Sequence, residues 1–96
     1  MNKLKSHFIT ITMEDTDIPS DTCVIKITTK DSLNVVESKI HTSFELYDTA
    51  TGIALDYRES YGWGTEGFVE FLKHRYRKSW TVALVNSDLD IFLEGR

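Results

Sequence analysis

SYGWGTEGFVEFLKHRYRK, residues 60–78, carries the clearest helical periodicity in the chain, and every other segment is placed relative to it. Thr65 is a suitable N-cap, and Glu66 in the first turn complements the partial positive charge of a helix start. Phe68, Phe71, Leu72 and Tyr76 fall at i, i+3, i+4 and i+8, one apolar stripe with Val69 on its flank. Glu66, Glu70, Lys73 and Arg77 make the opposite face, where Glu70 can meet Lys73 or His74. Arg75 returns to the apolar stripe near the helix end, where it would snorkel past the core edge or meet a carboxylate from the sheet.

Such a stripe needs an apolar partner, and period-two alternation elsewhere supplies a sheet. Residues 8–13 place Ile9, Ile11 and Met13 on one side, and residues 22–29 place Cys23, Ile25 and Ile27 likewise. Between them EDTDIPSD, with Pro19 and four acids, reads as an irregular loop. KDSLNVVESK, residues 30–39, is open between a short bulged strand and a helical turn. Ile40, Thr42, Phe44 and Leu46 alternate, as do Ile53, Leu55 and Tyr57. With Asp48 and Gly52 in the connection DTATG, these two runs read as an antiparallel hairpin. After the helix, Trp80, Val82 and Leu84 form another strand, turned by Asn86, Ser87 and Asp88 into Leu89, Ile91 and Leu93. The expected fold is therefore α+β: a single antiparallel sheet of about five to six strands with one amphipathic helix on one face, in the order β-β-β-β-α-β-β.

The totals fit that frame. Ninety-six residues, 41% hydrophobic and 27% charged, make one globular domain spanning 1–96. A net charge of −4 argues against a general binder of nucleic acid or anionic membrane. Cys23 stands alone, so no internal disulfide and no multi-cysteine zinc site can form, and a reducing compartment is the natural home. MNKLKSHFITITM holds no apolar run of signal-peptide length and nothing approaches a membrane span, so a cytoplasmic location is expected.

Motifs for chemistry are sparse. His7, His41 and His74 lack the i, i+4 spacing that puts two imidazoles on one metal, and Cys23 on an apolar strand face reads as a small filler. Glu14, Asp15, Asp17 and Asp21 lack the glycine and terminal glutamate of a calcium loop. Gly62, Gly64 and Gly67 spell a dinucleotide fingerprint, yet no acid follows on the next strand and the chain is too short for a dinucleotide fold. Neither a metal nor a cofactor is expected.

Two features point to binding. Trp63 between glycines, with Tyr61 beside it, has the residue types of an interface anchor. Lys73, His74, Arg75, Tyr76, Arg77 and Lys78 form a cationic helix end, which also opposes the helix dipole. Tyr61, Trp63, Arg75, Arg77 and Lys78 are thus the candidate partner-binding residues, with Phe8, Tyr47 and Phe92 as a second aromatic patch on the open sheet face. The expected activity is that of a small non-enzymatic protein-binding domain, an inhibitor, immunity-type or phage-type protein that blocks a larger protein target. The alternatives are a nucleic-acid binder using the basic helix end and a tiny metal-independent nuclease working through His74, Arg75, Tyr76 and Arg77. A homodimer is also compatible, because an open sheet has two edges to protect.

Overall fold

The computed structural model describes residues 3–15 and 18–85. Strand β1 (Lys5–Asp15) pairs antiparallel with β2 (Ile18–Thr29), and β2 pairs antiparallel with β3 (Thr81–Val85) on its other side. Three helices, α1 (Leu33–Thr49), α2 (Ile53–Tyr61) and α3 (Thr65–Arg75), connect β2 to β3. The architecture is α+β, with one three-stranded antiparallel sheet among the described residues in place of the expected five or six strands, and three helices in place of one.

Alternation in β1 and β2 aims the side chains as read. Ile11, Met13, Ile25 and Ile27 are buried, Ile9 and Cys23 pack against them, and the registers Ile9↔Ile25 and Ile11↔Cys23 put all six on one face. The other face carries threonine, with Thr12 and Thr22 hydroxyls 3.1 Å apart, and holds the exposed Phe8 beside Lys26. The segment expected to be an irregular loop is mostly strand, because β1 and β2 run on through a register shift between Met13 and Asp15. Pro19 is tolerated there, since β3 accompanies β2 only over residues 24–28. Near the bulge, β2 has a single neighbour among the described residues, so a missing N–H need not break a described ladder bond.

Helix α3 forms where expected and is the hub, touching all three strands and both other helices. Its buried residues include Phe68, Val69, Phe71 and Leu72, and Glu70 pairs with Lys73 at 3.0 Å on the exposed side. Thr65 is the first helical residue, not the N-cap. Gly64 occupies the cap position, and the Thr65 amide and hydroxyl both donate to Asp21 Oδ2, at 2.8 and 2.9 Å. The capping carboxylate arrives from β2, forty-four residues away in the chain.

The principal correction concerns residues 30–61, where the expected hairpin is a pair of helices. Ser32 caps α1 through its hydroxyl, which accepts from the Val35 amide. Val36, Ile40, Ser43 and Tyr47, at i, i+4, i+7 and i+11, are buried. Over residues 40–46 alone the same face looks alternating, because Phe44 and Leu46 lie half-buried on the flanks of a wide apolar stripe. At the C-terminus of α1, Ala50 adopts a left-handed φ of 54°. Its amide donates to the Tyr47 carbonyl and that of Thr51 to the Leu46 carbonyl, a Schellman pair. In α2 the buried position is Ala54, which the strand reading turned outward, while Ile53 and Leu55 are exposed at 51% and 41%. Arg58 ties α2 to α1 by donating to the Asp48 carbonyl.

Strand β3 begins at Thr81, one residue later than the reading that counted Trp80 as its first inward position. Trp80 is buried and Val82 half-buried, but Leu84 is 41% exposed. The turn at residues 86–88, the strand through Leu89, Ile91 and Leu93, and Phe92 lie outside the described residues.

Candidate functional site

Two surface clefts flank the helical layer. Of the residues singled out for binding, Arg75 and Arg77 line the first, Trp63 packs against a wall of the second, and Tyr61 lines a separate hollow on α2 with Asp56, Tyr57 and Ser60. The first, of about 410 Å³, opens where the end of α3 meets the α1–α2 connection. Leu46, Ile53 and Phe71 supply apolar lining, and His74, Arg75 and Arg77 supply a nitrogen-rich rim. Helical geometry accounts for the arrangement, since Phe71, His74 and Arg75 are at i, i+3 and i+4 and so share a face of α3. Within that rim, Arg77 Nη1 donates to the His74 carbonyl at 2.8 Å. Arg75 Nε donates to the Tyr76 hydroxyl at 3.1 Å while its guanidinium lies 5.5 Å from the Tyr76 ring centroid. Both contacts leave further guanidinium N–H groups for an outside acceptor.

Tyr61 joins this surface through Tyr57. The two rings stack at 6.1 Å, and Tyr57 in turn lies 5.8 Å from His74 and 5.9 Å from Phe71. Tyr61 is 46% exposed. Lys78 is exposed in the turn after α3 but does not line the cleft.

Trp63 does not line this cleft and lies before the start of α3. It is half-buried, its ring edge-on to Phe44 at 6.4 Å, and Phe44 meets Phe68 in the same way at 5.7 Å. Phe44 and Phe68 line the second cleft, of about 280 Å³, between α1 and β1. Ile9, Ile11 and Ile40 continue its apolar wall, and Glu37 and His41 edge it. The candidate set that the sequence treats as one surface is therefore divided.

The proposed sheet-face trio is not one patch. Phe8 does lie on the open face, but Tyr47 is a fully buried residue of α1 whose hydroxyl donates to the Gly62 carbonyl at 2.7 Å. Burial pushes the Tyr47 phenol above its ordinary pKa, with Arg58 pulling the other way. The four residues of the nuclease reading are likewise divided. His74, Arg75 and Arg77 line the first cleft, whereas the Tyr76 hydroxyl is engaged with the Lys39 carbonyl, Ser43 and Arg75.

Other titratable groups have structural work. Asp31 Oδ2 accepts from Trp80 Nε1 and from Lys39 Nζ, each at 3.0 Å, and these bonds hold its carboxyl below the usual range. Trp80 stacks on Tyr76 at 4.1 Å, and the Lys39 ammonium lies within 6 Å of both rings. Desolvation raises the Cys23 thiol pKa, with Thr65 opposing and Asp21 reinforcing the shift. No group of three or more metal-ligating side chains occurs among the described residues, and none of their helices is long and apolar enough to cross a membrane.

Leu46, Ile53 and Phe71, which complete the cationic cleft, were assigned by the sequence to core faces. Ile53 could have been found from a helical reading of residues 53–61, which turns Ala54 inward and leaves Ile53 outside. Comparison with protein-family models, curated proteins and solved structures finds no match for the chain.

Proposed function

We propose that the chain is a small non-enzymatic protein-binding domain, of the inhibitor or immunity kind, that blocks a larger protein by engaging it at the cationic end of α3. One observation carries the reading: an open apolar cleft, with Ile53 51% exposed beside it, is edged by Arg75 and Arg77. Apolar area with guanidinium groups at its margin suits an acidic segment that anchors a large apolar side chain in the cleft. Tyr61 and Tyr57 extend the contact as a flat aromatic step. The net charge of −4 leaves the cationic end as a local contrast on an acidic molecule, which favours orientation of the partner over simple attraction.

Selection of displayed random peptides on the purified chain tests this. Retained peptides should carry acids around an aliphatic or aromatic residue, and Arg75→Glu with Arg77→Glu should weaken their binding roughly tenfold or more. Equal retention by the charge-reversed variant would reject the site. Tight binding of oligonucleotides at low salt, lost in the same variant, would replace the protein target with nucleic acid.

A further inference from the structure

Strand β1 stands at one edge of the sheet, with β2 on one side and no described strand on the other. It is eleven residues long, and its register with β2 is regular from Lys5 to Met13. A long, regular edge strand of this kind presents unpaired backbone donors and acceptors to another strand. Beside it lies the α1–β1 cleft, walled by Ile9, Ile40 and Phe44 and continuous through Phe44 with Trp63. Backbone edge and apolar groove together are what strand addition uses.

The charges along β1 select the occupant. KSHFITITMED begins with Lys5 and His7 and ends with Glu14 and Asp15. Antiparallel pairing of two copies about Thr10 puts Lys5 of each against Asp15 of the other, Phe8 against Thr12 and Ile9 against Ile11. Parallel pairing would oppose lysine to lysine and acid to acid. Sequence polarity and edge geometry thus agree on an isologous, two-fold contact.

We infer that the chain self-associates as a two-fold dimer through antiparallel β1–β1 pairing, which joins the two sheets into one, six-stranded among the described residues, and brings the two α1–β1 clefts together. This surface is separate from the cationic cleft, so each copy keeps its Arg75 and Arg77 rim open to a partner.

Sedimentation equilibrium of the full chain over a dilution series is expected to show a monomer–dimer equilibrium. Lys5→Glu and Asp15→Lys should each raise the dimer dissociation constant roughly tenfold, since each replaces two attractive pairs by two repulsive ones. Mixing the two variants should restore association, because every pair in the mixed dimer is again of opposite charge. Circular dichroism of each variant confirms that the fold is kept. A chain that stays monomeric throughout, whether because a foreign segment or this chain's own terminus takes the edge, overturns the inference. So does a dimer indifferent to both substitutions or not restored by mixing.

Discussion

A methyl group at Gly67 would have nowhere to go. A Cβ there would stand 2.8 Å from the Tyr61 Cβ and run into the Tyr47 hydroxyl, at the point where α3 crosses the end of α2. Glycine is otherwise costly inside a helix, by about 1 kcal/mol relative to alanine. Gly67→Ala is accordingly expected to destabilise the chain by about 1–3 kcal/mol, the usual cost of overpacking, despite the gain in helix propensity. Urea denaturation measures this, and an unchanged or higher midpoint would contradict the close approach. Gly62 meets a different need, with φ 83° and ψ −179°, a backbone region that side chains rarely enter. A Cβ at Gly64 would stand 3.0 Å from Asp21 Oδ2, so Gly62 answers to backbone conformation and Gly64 and Gly67 to close approach. The dinucleotide-like spacing of the three was visible in the sequence. The close approaches were not, because they depend on Asp21, Tyr47 and Tyr61, residues of other elements.

At the scale of the element, α1 and α3 show why one helix was legible and the other was not. In α3 the apolar residues Phe68, Phe71 and Leu72 repeat at helical spacing with charges opposite, so no strand pattern competes. In α1 the buried set includes Ser43, whose hydroxyl donates to the Lys39 carbonyl at 2.8 Å. A polar residue in the core stripe interrupts the 3.6-residue signal, and Ile40, Thr42, Phe44 and Leu46 then dominate as an alternation. The N-terminus of α3 carries a further consequence. Asp21 satisfies two Thr65 donors there, so Asp21→Ala should cost about 0.5–2 kcal/mol, the range for loss of an N-cap, while Asp21→Asn, retaining an acceptor oxygen, should cost less. Thermal unfolding of the two variants tests the order, and equal stability would remove Asp21 from the capping role.

Across the whole molecule, Asp31 joins the beginning of the helical layer to its end. It lies in the β2–α1 turn and accepts from Lys39 of α1 and from Trp80, the residue before β3. His7 of β1 lies 3.1 Å from the Asp31 carbonyl oxygen, so four segments converge there. The folded-state carboxyl pKa is depressed, first by the indole hydrogen bond and then by Lys39. Its stabilisation is therefore complete above the unfolded-state value, near pH 4, and is lost as pH falls through the lower folded-state value. Asp31→Asn should melt below the wild type at neutral pH and approach it on the acid side. Melting curves that stay parallel over that range would show that the carboxylate does not titrate with unfolding.

The sequence by itself determined the α+β class, the inward faces of β1 and β2, the position of α3 and the cationic character of its end, because each rests on local periodicity or formal charge. Only the tertiary structure decided that residues 33–61 are helical, that Asp21 caps a helix on the far side of the core, and that Trp63 and Arg77 belong to different surfaces. The reason is physical. Burial is shared among distant segments, and a short apolar run satisfies either period until its packing partner selects one.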